Sequence, residues 1–228
     1  MTRLTLTFDN GPDPEVTPRV LDVLAERSVQ AHFFVLGKHL TDPGRRALAS
    51  RAVAEGHLVG NHSFSHETPL GEDARADSVE AEILATERLL APLSNGSLRF
   101  RPFGRGGVLG PHLLSERAVA TLVARRYTCV LWSSVPHDWD DPEGWPRRAL
   151  AETAAEPHAV VVLHDIPGAC LAKLGSFLDA VRDRGVAMVT ELPAACTPII
   201  DGVVVGDLDG LVTGRGGSVR ARGPEVAT

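Results

Sequence analysis

The sequence predicts an α/β fold, a parallel sheet covered by helices, in which short apolar runs alternate with amphipathic stretches along almost the whole chain. A second observation is that polar residues follow the apolar runs at five separate places, as expected where strand ends meet at one rim. Residues 4–8 alternate and are β-branched, which marks a strand. Residues 17–27 put Val20, Leu21 and Leu24 on one helical face, with Thr17 as the expected N-cap. Residues 31–36 form the next strand, 42–55 a helix stopped by Gly56, and 58–60 a short strand. Residues 77–91 predict a helix with Pro92 just past its end, 98–103 a strand, and 111–126 a helix with proline near its start. Strands follow at 128–132, 160–163 and 186–189, with helices at 143–156 and 171–184 between them. About seven such units either close into a barrel or stay open as a doubly wound sheet.

The 228 residues predict a single domain, and the composition, 43% hydrophobic and 23% charged, is that of an ordinary globular chain. No run of eighteen apolar residues exists, which excludes a membrane-spanning helix. A net charge of −6 argues against a nucleic-acid partner. The first residues have no signal peptide, so the expected location is cytoplasmic. Three scattered cysteines, Cys129, Cys170 and Cys196, fit a reducing compartment and form no CxxC pair. The expected divisions are a catalytic domain over 1–197, a hairpin appendage about Asp201-Gly202 over 198–213, and a disordered tail over 214–228.

Chemistry gathers at the strand ends. Asp9 and Asn10 follow the first strand, held at its tip by the bend that Gly11 and Pro12 impose. A capped turn would account for Asp13 but leaves a carboxylate at the tip of a buried strand unexplained. His62 and His66 lie four residues apart, a spacing that on a helical turn puts both rings on one face and lets them bind a divalent ion. Spacing alone would equally describe two surface histidines, and it is their place at a strand end that favours a site. Arg101 could anchor a carboxylate. His164, directly after an apolar run, is a proton donor or a satisfied core residue, with Asp138 its candidate partner. Trp132, Trp139 and Trp145 surround the Asp138 loop, where they could stack on a sugar or fill the core.

These residues carry a resemblance to the polysaccharide deacetylase family, the family 4 carbohydrate esterases with the chitooligosaccharide-deacetylase homology domain. Five motifs in order over residues 4 to 192 support it. Thr7-Phe8-Asp9-Asn10-Gly11-Pro12 is similar to T-F-D-D-G-P, and His62-Ser63-Phe64-Ser65-His66 matches H-[ST]-x-x-H. Arg101-Pro102-Phe103-Gly104 resembles R-P-P-[YF]-G, Asp138-Trp139 matches the end of D-x-x-D-W, and Leu163-His164 resembles the final L-x-H motif. The resemblance implies a distorted (β/α)7 barrel and a metal-dependent N-deacetylase that uses a divalent metal, usually zinc. Carried over, Asp9 is the general base, held by Arg101. Asn10, His62 and His66 are the metal ligands, and His164 is the general acid, oriented by Asp138.

The chain departs from the pattern at three places. Asn10 stands where the metal-binding aspartate belongs, Phe103 directly follows Pro102, and Val135 takes the place of the first aspartate of D-x-x-D-W. Phe103 and Gly104 are both candidates for the backbone amide that would support the oxyanion. The expected function is hydrolysis of a non-peptide C–N bond, foremost N-deacetylation of a small-molecule or oligosaccharide amino-sugar substrate. The alternatives are a formamide, cyclic-amide or ureide hydrolase, and a catalytically silent carbohydrate-binding protein.

Overall fold

A computed structural model describes residues 1–93 and 97–214. The first half runs β1 (Arg3–Asp9), α1 (Val16–Glu26), β2 (His32–Val35), a single turn α2 (Gly37–Leu40), α3 (Pro43–Ala54) and β3 (Leu58–Asn61). A π-helical turn (Glu80–Leu84) then leads into α4 (Ala85–Leu90), followed by β4 (Arg99–Phe100), α5 (Glu116–Ala124) and β5 (Thr128–Cys129). Next come α6 (Trp145–Ala155), β6 (His158–His164), α7 (Leu171–Asp183) and β7 (Ala187–Val189). The hairpin β8 (Ile199–Ile200) and β9 (Val203–Val204) is the last element among the described residues, turning at Asp201 and Gly202, both at positive φ.

The strand order is β6-β1-β2-β3-β4-β5-β8-β9, with β7 also on β1, and every pairing up to β5 is parallel. Just past β5 the chain bonds back to β6: Ser133 and Ser134 donate to the Val160 carbonyl, and Val162 donates to that of Ser134. The curled sheet thus returns to its own edge, giving the expected distorted (β/α)7 barrel in one domain. The antiparallel strand β8 joins the sheet at Cys129↔Ile199. The tail expected over 214–228 lies outside the described residues except for Gly214.

Paired residues of parallel strands point to the same face, so register decides what meets inside the barrel. Thr5, Thr7 and Asp9 pair with Val160, Val162 and His164, and Asp9 also pairs with Phe34. The alternate residues Leu4, Leu6 and Phe8 bury outward with Val161 and Leu163 against α1 and α7. One column of β1 is therefore apolar and packs under helices, while the other ends in Asp9 beside His164.

Several elements are shorter or begin elsewhere than expected. Thr17 is not the N-cap of α1: Asp13 Oδ1 accepts from the Glu15 and Val16 amides, and Thr17 Oγ1 instead accepts from the Asp13 amide and donates to Asp165. The helix expected from 77 begins at 78 and passes at once into the π turn Glu80–Leu84, and the one expected from 111 begins at Glu116, capped by Ser115. The strand expected over 98–103 stops at Phe100, which releases Arg101 into the barrel mouth, and that over 128–132 stops at Cys129 because the chain beyond it turns to bond β6. Trp145 does not line the cleft. It is fully buried and packs on Phe177, with ring centroids 4.9 Å apart.

Truncating that outer core has a calculable effect. Phe177→Ala is expected to lower stability by about 3–5 kcal/mol, read as an earlier midpoint in urea unfolding with native circular dichroism before the transition.

Candidate active site

Arg101 is the most constrained side chain of the site. Its guanidinium, 0% exposed, donates from Nη1 to Asp9 Oδ1 at 2.8 Å and to Thr7 Oγ1 at 2.6 Å. Nε and Nη2 donate to the Val130 and Leu131 carbonyls, and the group lies 4.2 Å over the Phe34 ring. A charge so buried requires partners for its donors, and β1 and the chain just past β5 supply them. Asp9 is thereby held with Oδ1 occupied, while Oδ2 faces His62 Nε2 at 3.5 Å.

His62 donates from Nδ1 to the Arg101 carbonyl at 2.9 Å. That carbonyl can only accept, so Nδ1 carries the proton and Nε2 keeps its lone pair. Burial foremost holds both His62 and His66 below the ordinary imidazole range, His66 down to about 2. Two neutral rings with centroids 4.9 Å apart are suitable metal donors. They do not lie on a helical turn as expected. Residues 62–66 form a loop in which Ser63 and His66 adopt φ of 67° and 57°, and it is this bend that brings the rings together.

Asn10 also sits at positive φ, 75°, a conformation that Asn tolerates better than most residues. Its Oδ1 is buried and has no hydrogen-bond partner. The orphaned buried oxygen at the mouth that also holds His62 and His66 fits a divalent cation, and the donor set of two imidazoles and one amide is chemically suitable. Among the described residues, no three His, Cys, Asp or Glu side chains gather as a metal cage.

On the neighbouring strand β6, in register with Asp9, His164 Nδ1 bonds Asp138 Oδ1 at 2.8 Å, and the His164 amide donates to Asp138 Oδ2 at 2.9 Å. Burial opposes the imidazolium, but the hydrogen bond to Asp138 and the charges of Asp138, Asp9 and Asp165 outweigh it, so His164 titrates above its ordinary value. Trp139 stands edge-on to His164 at 4.6 Å. The cleft between these groups measures about 210 Å³, and Phe103, Trp132, Val135 and Trp139 make much of its wall apolar. Val135, in place of an acid, packs over Gly107, and Trp132 Nε1 donates to the Gly107 carbonyl at 2.7 Å.

All seven sequence-derived site residues border this cleft or directly support a residue that does. Sequence reasoning missed Asp165. It is buried, raised to about 7 chiefly by that burial, and bonded by Thr17. A Cβ on Gly11 would collide with its carboxylate, so the Asn10-Gly11 turn rests directly on Asp165. The signal was present, an acid immediately after an apolar strand, the same pattern that singled out Asp9.

The fold and the cleft define a barrel hydrolase with its polar groups at the C-terminal rim. A family model described as polysaccharide deacetylase matches residues 2–107. A chitooligosaccharide deacetylase of Rhizobium leguminosarum bv. phaseoli is 37% identical over 202 residues, covering 82% of this chain and 84% of that protein. Two solved structures are similar. One is described as T48 deacetylase with substrate (TM-score 0.67, 30% identity, 82% of this chain and 87% of that one). The other is a peptidoglycan N-acetylglucosamine deacetylase in complex with 4-naphthalen-1-yl-N-oxidanyl-benzamide (TM-score 0.70, 27% identity, 87% and 89%). The chain belongs to the polysaccharide deacetylase family.

The His164–Asp138 pair makes a test independent of turnover. Asp138→Asn removes the hydrogen-bonded charge that favours the imidazolium and leaves burial to oppose it, so the His164 midpoint in an NMR titration is expected to fall. An unchanged midpoint contradicts the assigned balance.

Proposed function

We propose that the chain is a metal-dependent deacetylase that removes the N-acetyl group from an amino-sugar-containing substrate. The observation that carries this reading is the meeting, in one cleft, of a carboxylate held by a buried arginine, a histidine paired with a buried aspartate, and two neutral imidazoles beside an orphaned amide oxygen. Asn10, His62 and His66 would hold the metal, zinc by the family resemblance. When bound, such an ion supplies Lewis acidity, bringing the pKa of water toward about 7 and neutralising charge on the amide oxygen.

The protein groups divide the remaining work. Asp9 accepts the proton of the attacking water at Oδ2, because Oδ1 is already bonded to Arg101. Arg101 fixes that carboxylate in direction. His164 delivers a proton from Nε2 to the departing nitrogen, since its Nδ1 is committed to Asp138. A base and an acid in one cleft each contribute roughly 10²–10⁴-fold. The cleft, at about 210 Å³, is below the roughly 300–1,000 Å³ of ordinary ligand pockets. It therefore takes a single acylated unit, and the rest of an oligosaccharide lies outside. The apolar wall suits the acetyl methyl group.

Four variants test this reading by elemental analysis, by acetate release from chitooligosaccharides and by oligosaccharide binding. The purified protein is expected to carry near-stoichiometric metal, and His62→Ala to lose it. Asn10→Asp adds a charged donor and is expected to slow metal loss to EDTA. Asp9→Asn is expected to reduce kcat by about 10²–10⁴-fold. Metal content unchanged in His62→Ala, or oligosaccharide binding unaltered in Asp9→Ala with no turnover by the native protein, overturns the assignment.

A further inference from the structure

Glu82 lies outside the cleft and takes no part in the steps above, yet it is buried and makes an unusual set of contacts with the loop that carries His62 and His66. Its Oε2 accepts from two successive backbone amides, Phe64 at 3.0 Å and Ser65 at 2.8 Å. Its Oε1 accepts from Ser65 Oγ at 2.8 Å and from Arg75 Nη2 at 3.0 Å. The amides it holds lie between Ser63 and His66, the two residues at positive φ. For non-glycine residues that conformation is disfavoured and persists only where the surroundings over-determine it. The other side of the loop is fixed as well: the Gly37 and Lys38 amides donate to the Ser63 and Phe64 carbonyls, and Lys38 Nζ donates to that of Ser65. Gly37 has no room for a Cβ, because the Phe64 ring and Thr86 occupy that space.

The helix bearing Glu82 supports the same conclusion. A π turn shifts the side chains that follow it relative to a regular helix, and such turns recur at functional sites. Here the π turn Glu80–Leu84 carries Glu82 at its centre, aimed at the loop. The neighbouring carboxylate Glu87, on α4, is nearly as buried but turns away to Arg125.

We propose that Glu82 is a positioning residue for the deacetylase site: its carboxylate clamps the 64–65 amides and so holds His62 and His66 in the bend that brings their rings together. The inference rests on the reading that these two histidines hold the metal. Its effect is on ligand geometry, and outer contacts of this kind typically change metal affinity by roughly 10–100-fold. Charge matters as well as shape, because the same oxygen accepts two amide protons and ionised acceptors form the stronger bonds.

The test compares Glu82→Gln with Glu87→Gln, using Zn²⁺ alone in competition with a chromophoric chelator and the imidazole NMR signals of the metal-free protein. Glu82→Gln is expected to raise the Kd for Zn²⁺ about tenfold or more and to shift and broaden the His66 signals. Glu87→Gln, which removes the acid paired with the exposed Arg125 and leaves the 64–65 clamp intact, is expected to leave Kd and the histidine spectrum at native values. Native Kd and native histidine signals in Glu82→Gln overturn the proposal, as does an equal effect of Glu87→Gln. Should Glu82→Gln fail to fold, Ser65→Ala removes only the hydroxyl contact and must move the same signals in the same direction, by less. If the native protein itself takes up no Zn²⁺, the metal assignment falls, and the histidine signals of the metal-free variants still decide the role of Glu82.

Discussion

The site depends on a buried guanidinium. Arg101 leaves the sheet where β4 ends and reaches into the barrel, where no water can satisfy its donors. Each donor therefore has to find an oxygen, and those oxygens come from Thr7 and Asp9 of β1 and from the carbonyls of Val130 and Leu131 beyond β5. The result ties three parts of the curled sheet to one group. Removing one partner of such a pair strands the other charge in a poorly solvating interior, at about 3–5 kcal/mol. The direction of Asp9 is thus fixed by the same constraint that fixes Arg101, and the backbone of Arg101 in turn sets the tautomer of His62.

A second constraint is backbone conformation. Asn10 and His66, both proposed metal ligands, lie in the left-handed region, as does Ser63 between the two histidines. Neither loop could hold such angles unaided. The Asn10-Gly11 turn rests on the Asp165 carboxyl, and the 62–66 loop rests on Glu82. In both places a buried acid, itself remote from the cleft centre, determines where a cleft residue points. The site is better described as a cleft wall with two acidic supports behind it than as a set of ligands at strand tips.

This division explains how much was legible in the sequence. The strands were legible because alternation at Leu4, Leu6 and Phe8 has a period that no helix shares. The strand-end residues were legible because apolar runs ending in Asp9, His62, Arg101 and His164 leave polar groups at one rim. The bend at Ser63 and His66 was not, because neither is glycine, and an i, i+4 pair of histidines has the same spacing on a helix as in a loop. The π turn was hidden for a similar reason: its residues satisfy a helical pattern, and the shift of one position is set by where Glu82 must reach. Trp145 was misplaced because proximity along the chain to Asp138 says nothing of side, and helix α6 turns it to Phe177.

The departures from the family pattern acquire a common meaning once charges are placed. Asn10 and Val135 each stand where the family motif has an acid, so the cleft has two fewer negative charges than that motif would supply. The two acids that remain are both committed, Asp9 to Arg101 and Asp138 to His164. In the proposed reaction, a divalent ion held by three neutral donors would keep more of its positive charge for the amide oxygen than one held by a carboxylate. The same neutrality weakens the hold on the ion, so the geometry of the two imidazoles has to supply what charge does not. A loop whose histidines are fixed by backbone clamps, rather than by attraction to the metal, is what such a donor set requires.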